Sequence, residues 1–261
     1  MINILTINTW KCDGEYHNRR EVLAKQLSSL SAQAILLQEV FSNIVGNINT
    51  AKYLADKLNM EYTFLPERRK IRELNGEYID SYSGLAILAT IPFDEKYPIS
   101  LPSTNEDGGR SALIAEYTFS GIKMAIANIH LSHLRNGSNL RQQQLEAILA
   151  HPVFNREQIK VIGGDFNCTL DDPEIHNFSK PPYYIKDTYE IGMGKQPSFT
   201  CPVISKQKNR NPRKIDHIVT LANKDGIYPQ FKKSKIVLNK IDAKYNIYPS
   251  DHFGVMTSLI L

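Results

Sequence analysis

Runs of Ile, Val and Leu that end at a single polar residue recur along this chain. Examples are the segments LTINTW, ILLQEV and IANIHL, and the last one, SDH, lies at the start of a terminal apolar run. Such a run is typical of a buried strand that delivers a polar group at its end. The polar residues placed at one end of such a run are Asn8, Glu39, His130, Asp165, Asn167, Asp216, Asp251 and His252.

The same hydrophobic pattern predicts the remaining elements. Helical spacing indicates helices at 18–32, with Asn18 as N-cap, at 50–59 and at 139–150. Strands are predicted at 2–10, 34–40, 62–66, 84–90, 111–119, 122–131, 159–164, 198–201, 214–220, 234–238 and 253–260. Polar stretches rich in charge, Gly or Pro predict loops at 67–82, 100–110, 171–183 and 203–213.

Strands in both halves of the chain, each with covering helices, predict a four-layered α/β sandwich, with two mixed sheets packed face to face and helices outside. Residues 8 and 252 could act together only if both ends of the sequence join one sheet system. We therefore expect one domain over residues 1–261.

Composition changes this picture little. The net charge of +4 suits a phosphate-bearing substrate, but it is too weak to establish nucleic-acid binding. The three cysteines, without CxxC spacing, do not favour a disulfide framework or a zinc site. With neither a signal peptide nor a membrane-spanning run in the sequence, we expect a cytoplasmic protein without a membrane anchor, and a monomer by default.

Glu39 follows an apolar run, where an unpaired carboxylate would be costly. A bound Mg²⁺ ion would satisfy it, because this hard cation takes one or two carboxylates together with water and phosphate oxygens. A salt bridge at the strand end is the alternative. The sequence leaves both open for Glu39 alone, and the rest of the polar set favours the metal.

Asp165 and Asn167 stand two apart in GGDFN, so on an extended chain both side chains would emerge on one face. Asp165 would then position or deprotonate a water molecule, while Asn167 would donate to a phosphoryl oxygen. An Asx turn after the strand is the equally plausible alternative.

Asp251 and His252 are adjacent and would point to opposite faces of a strand, one towards a metal and the other towards a phosphate. Asp216 is the candidate that would hold His252 in the required tautomer. A capping Asp beside a surface His is the alternative.

The remaining polar residues give weaker signals. His130 ends a strand and could donate to the leaving or a non-bridging oxygen, and Arg110 is expected in a buried salt bridge near the site, or in contact with the substrate. His133 is expected in a loop or at a helix start. The basic clusters at 68–72 and 206–214 are typical of solvated loops, and only a phosphate-rich polymer would give them a role.

At these residues the chain resembles the endonuclease/exonuclease/phosphatase superfamily, which has the DNase I-like fold. The signatures are Asn8–Trp10, Gln38–Val40, Ile129–Leu131, Gly163–Asn167, Ile215–Ile218 and Ser250–Val255. The resemblance implies a four-layered sandwich, dependence on Mg²⁺ (or Mn²⁺), and hydrolysis of a phosphate ester by in-line attack of water.

The resemblance also implies roles for single residues. Glu39 binds the metal with Asn8 and Asp251 beside it, and Asp165 and Asn167 serve the nucleophile and the phosphate. His252 is implied as the catalytic histidine supported by Asp216, and His130 as its assistant.

Within the superfamily, the opening TINTWKCDG and the box QEV are similar to tyrosyl-DNA phosphodiesterase-type enzymes. The HL after the fourth motif and the Phe after QEV are similar to sphingomyelinase-like members. We therefore expect a phosphodiesterase with nucleic acid as the favoured substrate. The alternatives are a phospholipid, sphingolipid or phosphoinositide head-group esterase, and a non-catalytic binding module on the same scaffold.

Overall fold

The computed structural model describes residues 1–156, 158–193, 198–202, 212–223 and 226–260. Its strands are β1 Ile2–Asn8, β2 Ala34–Asn43, β3 Glu61–Leu74, β4 Glu77–Ala89, β5 Glu95–Leu101, β6 Arg110–Phe119, β7 Ile122–His130, β8 Ile159–Asp165, β9 Ile185–Asp187, β10 Asp216–Leu221, β11 Gln230–Val237 and β12 Gly254–Ile260. Its α-helices are α1 Tyr16–Ser28, α2 Thr50–Leu58, α3 Ser138–Leu149, α4 Val153–Arg156, α5 Pro173–His176 and α6 Thr188–Met193, with a 3₁₀ turn at Asn177–Ser179.

These strands form two mixed sheets of six strands each. The first sheet has the order β11-β12-β1-β2-β4-β3, and the second has the order β5-β6-β7-β8-β10-β9. In each sheet one pair is parallel, β1 with β2 and β7 with β8. The other paired strands run antiparallel.

The sheets pack face to face over an apolar layer that includes Leu36, Ile87 and Val161. A second apolar cluster lies beneath the first sheet, where Leu23 and Leu27 of α1 and Leu54 of α2 pack. A third lies beyond the second sheet, against α3, α4 and α5. The predicted four-layered sandwich is therefore confirmed.

A buried amide connects the two sheets. Asn128 of β7 donates from Nδ2 to the main-chain oxygens of Leu37 (2.9 Å) and Ala86 (2.8 Å), and its Oδ1 accepts from Gln38 Nε2 at 2.6 Å. These contacts lie where the register between β2 and β4 shifts, between Leu37 and Val40. Because a buried carbonyl without a partner is costly, Asn128 stabilises this irregular stretch.

The largest correction concerns residues 67–82, which were predicted to form a loop. They belong to a long β-hairpin, in which β3 and β4 pair from Glu61↔Ala89 to Leu74↔Glu77. The predicted strand at 198–201 is also wrong, because Cys201 makes only an isolated bridge to Arg213. The strands β5 and β9 were not predicted.

The predicted helix cap is wrong as well. α1 begins at Tyr16 after Glu15, and Asn18 lies inside the helix, where its amide donates to the Glu15 carboxylate. The predicted loop at 171–183 contains α5 and the 3₁₀ turn. Residues 203–211 of the predicted loop 203–213, and most of the basic cluster 206–214, lie outside the described residues.

In the part of the chain that the structure describes, no helix combines the length and the apolarity needed to span a membrane.

Candidate active site

A cavity of about 420 Å³ opens where strands of both sheets end. It is lined by seven of the eight polar residues singled out in the sequence, with Asp216 packed behind them against His252. The seven are Asn8, Glu39, His130, Asp165, Asn167, Asp251 and His252.

Strand register explains this convergence. In the first sheet Asn8 ends β1 opposite Gln38, and in the second sheet His130 ends β7 opposite Asp165. Asp216 begins β10 opposite the same Asp165. Because the carboxyl ends of parallel neighbours share one edge of a sheet, each sheet delivers its polar side chains to one place.

Asp165 lies at the centre of this arrangement. Its Oδ2 accepts from Asn8 Nδ2 at 3.1 Å and lies 3.6 Å from His130 Nε2. Its Oδ1 accepts from the main-chain N–H of Asn167 at 2.9 Å. Burial, together with the negative charge of Asp216, raises the pKa of Asp165.

The chain beyond Asp165 is not extended, so the expected same-face arrangement does not occur. Asn167 has a left-handed backbone (φ 55°) and closes an Asx turn on Asp165. Its Nδ2 donates to the main-chain oxygen of Leu131 at 3.0 Å. The turn nevertheless brings both side chains to the cavity wall.

His252 is held by Asp216. Its Nδ1 lies 2.9 Å from Asp216 Oδ2, which leaves Nε2 for another partner. Burial alone would lower the pKa of His252, but the carboxylates of Asp216 and Asp165 outweigh burial and raise it well above its ordinary value. His252 and Asp251 precede β12, in a bend fixed by Ser250, whose hydroxyl donates to the Asn8 main-chain oxygen at 2.6 Å.

His130 has the opposite electrostatic setting. It is buried, and burial, together with the positive charge of Arg110, holds its pKa well below the ordinary value. The cavity thus contains one imidazole whose surroundings favour the charged form and one whose surroundings favour the neutral form.

Glu39 and Asp251 form the acidic corner of the cavity. Glu39 has a left-handed backbone (φ 51°) within the irregular stretch of β2, and its Oε2 lies 3.0 Å from Lys11 Nζ. Burial, opposed by His252 and reinforced by the charge of Glu39, raises the pKa of Asp251. Two carboxylates and the neighbouring Asn8 amide are the oxygen donors that Mg²⁺ prefers, so the residues present fit this ion.

A second group of potential ligands adjoins the first. Asp165, Asp216 and His252 place one ligand atom each within 4.8 Å of one another. Among the described residues, Asp216 Oδ1 is buried and finds no hydrogen-bond partner. A cation or a water molecule at this oxygen would satisfy it.

Sequence reasoning missed several contributors to the site, among them Lys11, Glu67, Asp107 and Arg19. Glu67 and Asp107 both line the cavity. Burial, opposed by Arg110, raises the pKa of Glu67 to about 7, and in the described part of the chain its buried Oε1 finds no partner. Asp107 pairs with Arg110 Nε at 3.1 Å and with His133 Nδ1 at 3.1 Å.

Arg19 was also missed, and it connects two segments of the chain from which residues line the cavity. Its buried guanidinium donates to the main-chain oxygens of Thr9 (3.1 Å), Asp13 (2.6 Å) and Pro249 (3.0 Å). It thereby joins the loop after β1 to the segment that carries His252. Nothing in the periodicity of α1 distinguishes Arg19 from a surface arginine.

Comparisons with known proteins agree on one family. The profile of the Endonuclease/Exonuclease/phosphatase family matches residues 5–252. Tyrosyl-DNA phosphodiesterase 2 of Danio rerio is 26% identical over 267 residues, which cover 96% of this chain and 65% of that protein. The Xenopus laevis protein of the same name is 29% identical over 157 residues, covering 56% of this chain and 40% of that protein. The chain thus spans less than two thirds of these relatives.

Solved structures show the same fold. A family protein from Leptotrichia buccalis superimposes with a TM-score of 0.76 at 19% identity, covering 100% of both chains. D. rerio TDP2 complexed with a single-strand DNA product gives a TM-score of 0.76 at 21% identity, covering 100% of this chain and 99% of that chain.

Proposed function

Because this chain belongs to the endonuclease/exonuclease/phosphatase family, we propose that it is a divalent-metal-dependent phosphodiesterase that hydrolyses nucleic acid. The observation that carries the proposal is the convergence of the strand-end residues on one cavity, with the His252–Asp216 contact at its floor. The relatives named for tyrosyl-DNA phosphodiesterase support a DNA end as substrate.

The proposed metal is Mg²⁺, with Mn²⁺ as a substitute, held by Glu39 with Asn8 and Asp251. When bound, it would offset charge on the phosphate and on the attacking oxygen. Lys11 Nζ lies 3.0 Å from Oε2 of the same Glu39 carboxylate and shares it with the proposed site.

The chain's own residues then have distinct tasks. Asp165 accepts a hydrogen bond from the attacking water and orients it in line with the leaving group. Asn167 has a second Nδ2 hydrogen that it can donate to a phosphoryl oxygen, since the first is taken by Leu131.

The two histidines have different tasks at the phosphate. His252 presents Nε2 to the developing negative charge, because Asp216 fixes Nδ1. His130, held neutral by its surroundings, can donate a hydrogen bond to the leaving oxygen. Arg110 lines the same cavity and adds a positive charge near the substrate.

The test is Mg²⁺-dependent product release from an oligonucleotide with a 5′-phosphotyrosyl end, compared with sphingomyelin in mixed micelles. We expect oligonucleotide turnover that disappears with a chelator and falls at least about 10²-fold in His252→Ala and Glu39→Gln. Matched thermal unfolding curves would show that the variants are folded.

Other outcomes would point elsewhere. Turnover of the lipid alone would replace the nucleic-acid substrate by a lipid head group. Retention of more than about a tenth of the wild-type rate in His252→Ala would reject the proposed site. Absence of turnover, together with no Mg²⁺ binding by isothermal titration, would favour the non-catalytic binding module.

A further inference from the structure

The hairpin of β3 and β4 carries different charges on its two faces. Arg68, Lys70 and Arg72 alternate along β3 on one face, and all three line the catalytic cavity. On the opposite face, Arg69 is neutralised by Asp80, with its Nη2 2.6 Å from Oδ2. Arg68, Lys70 and Arg72 together form a cavity-facing cation row.

The cation row lacks the counter-charges that the other cavity cations have. Lys11 pairs with Glu39, and Arg110 pairs with Asp107. Within the described ranges, no carboxylate lies within 4.0 Å of a cation-row nitrogen. The neighbouring charges of Arg68 and Arg72 lower the pKa of Lys70, which is the mark of unneutralised like charges.

Packing and hydrogen bonds hold the row in position. Arg72 donates from Nη1 to Ser81 Oγ at 2.9 Å. Beyond it, Leu74 and Ile79 at the hairpin tip pack on the cluster that contains Phe41. The hairpin is therefore anchored at both ends.

The loop between β5 and β6 supports the other end of the row. A Cβ added at Gly108 (φ 76°) would lie 2.8 Å from Cζ of Arg68. The absence of a side chain there lets the guanidinium lie against the loop. Aligned cations held without counter-charges repel one another, and a bound anion relieves this repulsion.

We propose that the cation row binds the backbone phosphates of a single nucleic-acid strand whose scissile phosphate lies in the catalytic cavity. This proposal rests on the proposed function. Alternate residues of a strand are roughly 6.5 Å apart, a spacing close to that of successive phosphates on an extended single strand.

A polymer fits the row better than a small ester does. A small ester offers its one phosphate to the catalytic residues and leaves the three cations of the row without counter-charges. A cavity of about 420 Å³ has room for a nucleotide of the strand, and Lys70 on its wall is exposed to solvent, where the strand can continue. A positive groove that follows the backbone is the usual mode of single-strand binding.

The test is binding of a fluorescein-labelled single-stranded oligonucleotide of about twelve residues, followed by anisotropy in a chelator at several salt concentrations. Lys70→Gln should weaken binding about three- to tenfold and reduce the slope of log affinity against log salt by about 0.7, the loss of one phosphate contact. Arg68→Gln should behave alike. Arg69→Gln is the matched control: it removes the same charge from the same strand, but from the neutralised face, and should leave both quantities unchanged.

A parallel kinetic comparison separates the two proposals. Lys70→Gln should lower kcat/KM for the long 5′-phosphotyrosyl oligonucleotide severalfold more than for a single-nucleotide phosphodiester. Equal affinity and slope in Lys70→Gln and wild type would overturn the cation row and leave the proposed function intact. Row-dependent binding without any cleavage would reject the function and keep the row. Row-dependent retention on phosphoinositide vesicles, with the oligonucleotide unaffected, would overturn the nucleic-acid assignment.

Discussion

At the scale of single residues, buried charge controls what each side chain can do. Asp216 is fully buried, and its contact with His252 fixes the ring orientation and favours the imidazolium. A few ångströms away, His130 is held neutral by burial and by Arg110. The same residue type therefore takes two protonation states because the surrounding charges differ.

Replacing Asp216 by Asn keeps the shape of the side chain. It removes the negative charge that orients the His252 ring and raises its pKa. We expect kcat to fall roughly 10²- to 10⁴-fold, as when an orienting carboxylate is lost elsewhere, with KM little changed. Steady-state kinetics on the phosphotyrosyl oligonucleotide measures this. Asp242→Asn, which loses only the ion pair to Lys25, is the control, and a loss below tenfold in Asp216→Asn would contradict the role.

Glu67 provides a pH-dependent prediction about stability. Its pKa is about 7 in the fold against an ordinary 4.5, so the native state retains a proton that the unfolded chain releases. The free energy of unfolding should therefore fall as pH rises from about 4.5 to about 7. Glu67→Gln, which does not titrate at this position, should show a smaller fall, which the raised pKa values of Asp165 and Asp251 still cause.

Thermal unfolding of wild type and Glu67→Gln at pH 5 and pH 8 provides the measurement. The two should have similar Tm values at pH 5, and the variant should have the higher Tm at pH 8. A Tm difference independent of pH would show that Glu67 is not protonated in the fold.

At the scale of elements, irregularities in otherwise regular strands bring the side chains to the site. The register shift in β2 places Glu39 in a left-handed conformation, and the shift between Pro66 and Arg68 places Glu67 at the cavity. Bulges commonly redirect side chains next to active sites. Asn128 stabilises the first of these irregularities from the opposite sheet.

Replacing Asn128 by Leu leaves the main-chain oxygens of Leu37 and Ala86 without their amide donor. We expect the free energy of unfolding to fall by about 2–4 kcal/mol, the cost of two buried unsatisfied acceptors. Urea denaturation measures it. Asn155→Ala at an exposed position of α4 should change stability by less than about 0.5 kcal/mol, and an equally small change in Asn128→Leu would refute the role.

The sequence predicts a strand where at least one of its faces is buried and apolar. The prediction fails where neither face is. Strands such as β2 and β8 are predicted because their apolar runs end at a polar residue. The hairpin over 67–82 escaped detection because its alternating residues are mostly charged or polar, so alternation carries no apolar signal.

For the site, the residues at strand ends could be found in the sequence, but their geometry could not. The turn at Asn167 depends on a left-handed backbone that GDFN permits without requiring. Glu67 reaches the cavity through a bulge, and Arg19 acts through hydrogen bonds to distant main-chain oxygens. Such contacts depend on the tertiary structure, so local pattern does not reveal them.

At the scale of the whole molecule, the two ends of the chain meet in the first sheet. β12 lies between β11 and β1, and pairs with β1 from Ile2↔Leu259 to Thr6↔Val255. Arg19 adds a further connection by donating to Pro249. Two of the proposed metal-binding residues, Asn8 and Asp251, come from these opposite ends.

A chain truncated to residues 1–249 would lose β12 from the interior of the first sheet. We expect it to melt without a cooperative transition, because β1 and β11 would each lose their shared neighbour. Differential scanning calorimetry measures this. Leu259→Ala is the control, since it keeps the strand and should melt cooperatively at a lower Tm; cooperative unfolding of the truncated chain would contradict the prediction.

The pairing of β1 with β12 also determines when the site can form during synthesis. During synthesis the chain emerges from its amino-terminal end, so Asn8 and Glu39 are exposed long before Asp251 and His252 exist. Loop closure over nearly the whole chain must then precede assembly of the site. The residues proposed to bind the metal and the phosphate can therefore come together only once translation has passed residue 252.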